Sequence, residues 1–305
     1  MSVLVSLPRD VYRDDAMDHF NPDPGFTMAN AQAMVWLSQL AYETDDPKKI
    51  EEVLTALGLK MLRTGSNSLT ERRACFIVAS GRGATFVTFA GTDPLKPQDY
   101  VSDLLALPTL DGFHSGFFHA ADVVKKDIME AIGSREQPLF FTGHSMGGAL
   151  ANIAAILVHE NGFQAPVVYT FGGARAGIQG YFNRYRPVLR DRAFRLVHGD
   201  DIVATVPPSL PILNFRHVGH FLHCPSGQRF AGDPSASNDG NDPNILRAGL
   251  EALLDIAKRV PSLDATLSGT DPRTFDKSGL IPIPLRDHVP ASYFRALKIL
   301  PRGIT

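Results

Sequence analysis

The sequence predicts an α/β protein with a mostly parallel central sheet flanked by helices, and two observations carry that prediction. Short β-rich apolar runs alternate with helical patterns through most of the chain, the rhythm of strands joined by crossover helices. One such run, Leu139 to Thr142, passes through glycines straight into the helical stretch Ala149 to Val158.

The elements follow in order. Residues 1–26 are acidic and Pro-rich and read as an irregular lead-in. Thr27 to Tyr42 reads as a helix, with Thr27 as its cap and Ala33, Leu37, Leu40 and Ala41 at helical spacing. A second helix is well punctuated. Asp46 caps it, Pro47 fits its first turn, Ile50, Val53, Leu54 and Leu57 form its stripe, and Gly58 ends it. Cys75 to Ser80 and Ala84 to Ala90 are β-rich and joined by Gly81-Arg82-Gly83, a hairpin pattern. Ala120 to Ile132 reads as helix. Val167 to Phe171 and Phe194 to His198 read as buried strands. Phe215 to Cys224 is strand-like, residues 226–241 read as a loop, and Asp242-Pro243 opens a helix through about Arg259. No stretch has linker composition. The expectation is one domain over residues 1–305 with an insertion around 209–285.

Composition narrows the function classes. The 305 residues carry 30 Lys and Arg against 32 Asp and Glu, a balance unsuited to a chain built to neutralise nucleic-acid phosphates. The apolar fraction of 44% excludes a disordered chain. Two cysteines, Cys75 and Cys224, exclude a disulfide-dense scaffold and read as two thiols. No run is apolar enough for a transmembrane segment. Met1 to Asp10 has no basic start, and Pro8 breaks its apolar stretch, so it makes a poor leader. The expected location is cytoplasmic, or secreted without an evident signal peptide.

The chemistry centres on Gly143-His144-Ser145-Met146-Gly147, a G-x-S-x-G pattern between a strand and a helix. A serine displayed on so sharp a turn needs flanking residues with almost no side chain. The following helix aims its N-terminus at the site, which favours developing negative charge. A serine nucleophile needs a base and an orienting acid, in the chain order Ser, Asp or Glu, His. Asp201, just after the Phe194 to His198 strand, is the best acid, although its neighbour Asp200 competes. His159 lies at the far end of the elbow helix, roughly 20 Å away at about 1.5 Å per residue, and is excluded. His198 precedes the acid and breaks the order. The histidines at 217, 220 and 223 and His288 remain. His217, His220, His223 and Cys224 also have the look of a metal site, but strand alternation turns His220 away from the other two. The expectation is no metal and no cofactor.

These residues resemble the class 3 lipases, the family typified by fungal triacylglycerol lipases. Asn30-Ala31 with Leu40-Ala41-Tyr42 is similar to the family's N-terminal helix, and Phe89-Ala90-Gly91-Thr92 to its F-R-G-[ST] motif, with Ala90 in place of Arg. His114-Ser115-Gly116-Phe117 matches H-x-G-F, and Gly143 to Ala151 resembles G-H-S-x-G-G-A-x-A. Thr170-Phe171-Gly172 with Arg175 and Gly177, Asp201-Ile202-Val203 with Pro207-Pro208, His217-Val218-Gly219, and Asp287-His288 with Tyr293 follow the family's later motifs in order. Asp103 falls where the family has an Asp.

The resemblance implies an α/β-hydrolase fold and a carboxylic ester hydrolase, with triacylglycerol lipase as the first reading. Phospholipase A1, mono- or diacylglycerol lipase and short-chain esterase are the alternatives, and a silent lipase-like binding protein the remote one. It assigns catalysis to Ser145, Asp201 and His288, and the oxyanion hole to Thr92 and Met146. The implied partner is an acylglycerol or other fatty-acyl ester, with transient contact to a lipid interface. Asp93 to Val101 occupies the place of the family's lid, while Leu104, Leu105, Leu107 and residues 209–222 are candidates for an acyl pocket. His144 is expected to be a structural neighbour of the elbow, His114 to pack near the oxyanion segment, and Trp36 to sit in the core.

Overall fold

The computed structural model describes residues 5–66, 74–92, 107–133, 136–207, 209, 213–234 and 286–303. Among these residues, seven strands form one sheet: β1 (Leu59–Ser66), β2 (Cys75–Gly81), β3 (Ala84–Phe89), β4 (Leu139–His144), β5 (Val167–Phe171), β6 (Ala193–His198) and β7 (His220–Cys224). They lie side by side in chain order. β1, β2 and β3 are antiparallel neighbours, and from β3 to β7 every pairing is parallel. The hairpin and the parallel run are those expected from the sequence.

Among the described residues, six α-helices cover the sheet: α1 (Met28–Leu40), α2 (Pro47–Ala56), α3 (Ser115–Ile132), α4 (Met146–Glu160), α5 (Gln179–Leu189) and α6 (Pro290–Ala296). The period-two alternation of β4 sorts them into two layers. Leu139 and Phe141 face one core with residues of α3, α4 and α5, while Phe140 faces the other with residues of α1, α2 and α6. A strand buried on both faces reads as a continuous apolar run, which is why β4 carries Leu-Phe-Phe. Helix α4 is buried almost all round, and its Ala-rich sequence lets it lie close to the sheet. Trp36 is in the core, stacked on Phe294 with ring centroids 4.2 Å apart.

The helix caps follow the sequence. Thr27 accepts from Asn30 N at 2.9 Å, and Asp46 from Lys49 N at 3.0 Å. Several elements differ from expectation: β7 takes only the last part of the strand-like Phe215 to Cys224 run, α6 was not expected, and three more differ for identifiable reasons. Helix α3 begins at Ser115 rather than Ala120, because His114 Nδ1 accepts from Phe117 N and supplies a cap outside the usual residue set. His114 therefore caps α3 and stacks on Phe117, with centroids 3.9 Å apart. Strand β1 escaped notice because an edge strand with one mostly exposed side carries Lys60, Arg63 and Thr64 among its apolar residues. Helix α5 was hidden by Gly180 and by Pro187 inside it.

The segments read as lid, as Asp103, as the Leu104 and Leu105 part of an acyl pocket, and as the 242–259 helix lie outside the described residues, as does most of the proposed insertion. Leu107 is described and is strongly exposed. Cys75 and Cys224 are both buried thiols.

Candidate active site

The parallel register brings the carboxyl ends of β3, β4, β5 and β6 to one edge. Phe89 pairs with Gly143, His144 with Phe171, and Phe171 with Leu196. The segments that leave those ends carry Thr92, Ser145, Gly172 and Asp201, the position where sites assemble in open α/β sheets.

Ser145 stands between β4 and α4 with φ 62° and ψ −132°, a backbone state that side-chain-bearing residues rarely adopt. Its surroundings enforce it. Ser145 N donates to Phe171 O at 3.0 Å, and Ser145 O accepts from Gly148 N at 3.0 Å and Ala174 N at 3.3 Å. A Cβ on Gly147 would run into the backbone of Phe89 and Ala90, and one on Gly143 into the backbone of Gly147. The turn can form only with glycine at both places. Gly91 approaches so closely that an added Cβ would meet Ser145 Cβ and Tyr42 Oη. This packing sets Thr92 beside the start of α4, where its hydroxyl donates to Met146 Sδ at 3.5 Å. Thr92 and Met146 thus sit together next to Ser145.

Asp201 and His288 meet across the fold. Both Asp201 carboxylate oxygens lie 2.9 Å from His288 Nδ1. Tyr293, one helical turn beyond His288, donates its hydroxyl to Asp201 Oδ2 at 2.6 Å, and Val203 N donates to Oδ1 at 2.9 Å. Burial alone raises the pKa of the Asp201 carboxyl. The charge of His288 and the hydrogen bonds from His288 and Tyr293 outweigh it and hold the carboxyl below its ordinary range. Burial and the neighbouring Asp201 charge push the Tyr293 phenol well up, so it remains a donor. Gly172, at φ 55°, passes so close to Asp201, Tyr293 and His288 that any side chain there would displace them.

Asp200 and Asp201 differ in their surroundings. Asp201 is buried against His288, whereas the Asp200 side chain is exposed and only its backbone N–H is engaged. That N–H donates to Asp287 Oδ2 at 3.0 Å, and Ser226 Oγ donates to Asp287 Oδ1 at 3.1 Å. Asp287, buried beside His288 in sequence, ties the turn that bears Asp201 to the segment that bears His288. Sequence reading placed Asp287 in a motif without giving it this duty. Its signal was an acidic residue flanking a candidate base.

His144 is fully buried behind Ser145. Its Nε2 lies 2.6 Å from His288 O and its Nδ1 2.8 Å from Tyr42 Oη. The histidines at 217, 220 and 223 reach unrelated partners: His217 turns to Ala204 O, His220 lies over Phe194, and His223 turns to Gly199 O. They do not converge on one point.

Residues 86–210 match the family model described as lipase (class 3). Over this stretch the chain is similar to the class 3 lipases. It is 34% identical over 112 residues to a secreted mono- and diacylglycerol lipase of Fusarium solani, covering 35% of this chain and 32% of that one. It is 30% identical over 100 residues to a chloroplastic phospholipase A(1) of Arabidopsis thaliana, covering 31% and 22%. The chain thus spans about a third or less of the length of these two relatives. Among solved structures, the lipase from Rhizopus microsporus var. chinensis superposes with a TM-score of 0.55 at 20% identity, over 75% of this chain and 88% of that one. The likeness establishes the α/β-hydrolase fold. Among the described residues, no helix is long and apolar enough to cross a membrane.

Proposed function

We propose that this chain is a carboxylic ester hydrolase that acts on acylglycerols through an acyl-enzyme, with Ser145 as nucleophile, His288 as base and Asp201 as orienting acid. The observation that carries the reading is the buried Asp201–His288 pair, with His288 stacked on the residue that precedes the serine. Asp201 accepts at Nδ1, so Nδ1 keeps its proton and Nε2 is the nitrogen that takes the Ser145 proton during attack. The imidazolium that forms is held by the Asp201 carboxylate and returns the proton to the leaving alcohol. Water then repeats the sequence on the acyl-enzyme and releases the fatty acid.

The tetrahedral oxyanion is met by backbone N–H groups of Met146, at the start of α4, and Thr92, with the Thr92 hydroxyl as a further donor. The contact between these two residues supports their pairing. Triacylglycerol hydrolysis is the first reading. The relatives from Fusarium solani and Malassezia globosa, named as mono- and diacylglycerol lipases, favour partial glycerides as the second. Extracellular action is supported by the word "secreted" in the names of both. Contact with a lipid interface belongs to the same proposal.

The test is a panel of p-nitrophenyl esters from acetate to palmitate beside emulsions of tri-, di- and monoacylglycerol, with Ser145→Ala as control. Turnover that disappears in Ser145→Ala while the fold persists is the expected result, with the emulsions ranking the glycerides. Undiminished turnover in that variant overturns the assignment of the nucleophile.

A further inference from the structure

His144 is the one ionisable side chain at the elbow that the proposed chemistry leaves unused, and it touches the base from behind. Its imidazole stacks on that of His288 with centroids 4.4 Å apart and planes 28° from parallel. Its Nε2 faces the main-chain carbonyl of the same residue at 2.6 Å. A carbonyl oxygen only accepts, so Nε2 carries the proton and Nδ1 is left as an acceptor. The Tyr42 hydroxyl, 2.8 Å from Nδ1, is the matching donor. The tautomer is therefore fixed at both ends by partners that come from opposite ends of the chain.

We propose that His144 is a positioning residue for His288, clamping its main chain through Nε2–H···O and backing its ring by stacking, with Tyr42 fixing the tautomer that makes the clamp. The proposal rests on the hydrolase reading and deepens it by naming what holds the base once Asp201 has oriented its far nitrogen.

Three features of the surroundings agree. His144 precedes Ser145 directly, so one backbone link joins the nucleophile to the clamp on its base. The groups that face His144 are Tyr42, His288 and Tyr293, and the Asp201 carboxylate acts on it electrostatically. Burial, reinforced by the His288 charge, pushes His144 down to about 3 against the opposing pull of the His288 carbonyl and Asp201. The ring thus stays uncharged when His288 becomes an imidazolium. It then offers a π face to that cation rather than a second positive charge.

The experiment compares wild type with Tyr42→Phe, His144→Phe and His144→Gln by steady-state kinetics on a soluble ester. A fluorophosphonate probe reports labelling of Ser145. Histidine ¹⁵N spectra in a Ser145→Ala background report the tautomer. His144→Phe keeps a stacking ring and loses the clamp, so kcat falls by about 10- to 100-fold while KM stays within about twofold, the size expected when a base is misplaced by a fraction of an ångström. His144→Gln, which can still donate to the carbonyl, recovers part of that loss. Tyr42→Phe lowers kcat about threefold and changes the His144 ¹⁵N signature.

A folded His144→Phe with kcat within twofold of wild type overturns the proposal. If that variant does not fold, an unchanged kcat and unchanged ¹⁵N signature in Tyr42→Phe overturn it equally. A wild type that neither labels nor turns over ester removes the hydrolase reading instead, and the ¹⁵N spectra then still decide whether the clamp exists.

Discussion

Two regions of the site hold their geometry by different means. At the elbow, Ser145 is held by what is missing: a methyl on Gly143 or Gly147 would collide with backbone, and main-chain hydrogen bonds do the rest. At the junction of Asp201 and His288, geometry comes from side chains that reach across the fold, with Tyr293, Asp287 and His144 each spanning a large sequence separation. The first region is local and steric. The second is distributed and polar, and it depends on every buried group finding its partner.

The largest effect expected from this contrast lies in the polar region. Asp201→Asn keeps the size of the side chain but presents an amide to His288 Nδ1 and favours the wrong tautomer. We expect kcat to fall by about 10³–10⁴, the scale seen when the orienting acid of a serine triad is made neutral. Asp200→Asn, whose side chain faces solvent, changes kcat by less than about twofold. Parallel kinetics on the two variants check the pair. Equal losses would break the contrast between a buried and a solvated neighbour.

The steric region fails differently. Gly147→Ala puts a methyl against the Phe89 carbonyl and the Ala90 backbone, which belong to the end of a central strand and cannot easily retreat. An overpacked site of this kind costs about 3 kcal/mol. Urea unfolding should show that loss together with loss of turnover, whereas Asp201→Asn should lose turnover with a smaller change in stability. A Gly147→Ala protein as stable as wild type would show that the elbow has more slack than its contacts imply.

The same division explains what the sequence made legible. The elbow is a contiguous pattern, and its glycines report a steric demand that any reader of Gly143 to Gly147 can infer. The parallel strands β4, β5 and β6 were equally plain, since burial on both faces leaves continuous apolar runs. The junction was legible only through family resemblance. Bare residues left both Asp200 and Asp201, and both His288 and the 217–223 cluster, because nothing local tells which distant side chains will meet. Asp287 and Tyr42 stand in motifs, but their contacts were not legible at all. A buried carboxylate that accepts from the Asp200 N–H, and a phenol that fixes a histidine tautomer, are defined by tertiary packing alone. Edge strand β1 and helix α5 were missed for a related reason, since one is half solvated and the other carries Gly180 and Pro187.

The smallest effect is a slope, and it is read from stability rather than from turnover. His144 has an ordinary value near 6.5 in an unfolded chain and about 3 when folded, so between those limits the unfolded state binds more protons. Stability therefore rises with pH across that window and is lost as pH falls through it, with His144 contributing a slope of up to about 1.4 kcal/mol per pH unit. Asp201 is depressed below the ordinary carboxylate value of 3.8, and its contribution is lost only on further acidification through its folded value. Denaturant titrations between pH 6.5 and 4.5 therefore read the His144 contribution as the difference between wild type and a variant that lacks the imidazole. His144→Phe should flatten the slope relative to wild type over that interval, while Ser145→Ala should leave it unchanged. Parallel slopes in wild type and His144→Phe would mean that the ring is protonated or exposed in solution. The polar junction would then be looser than its hydrogen bonds describe.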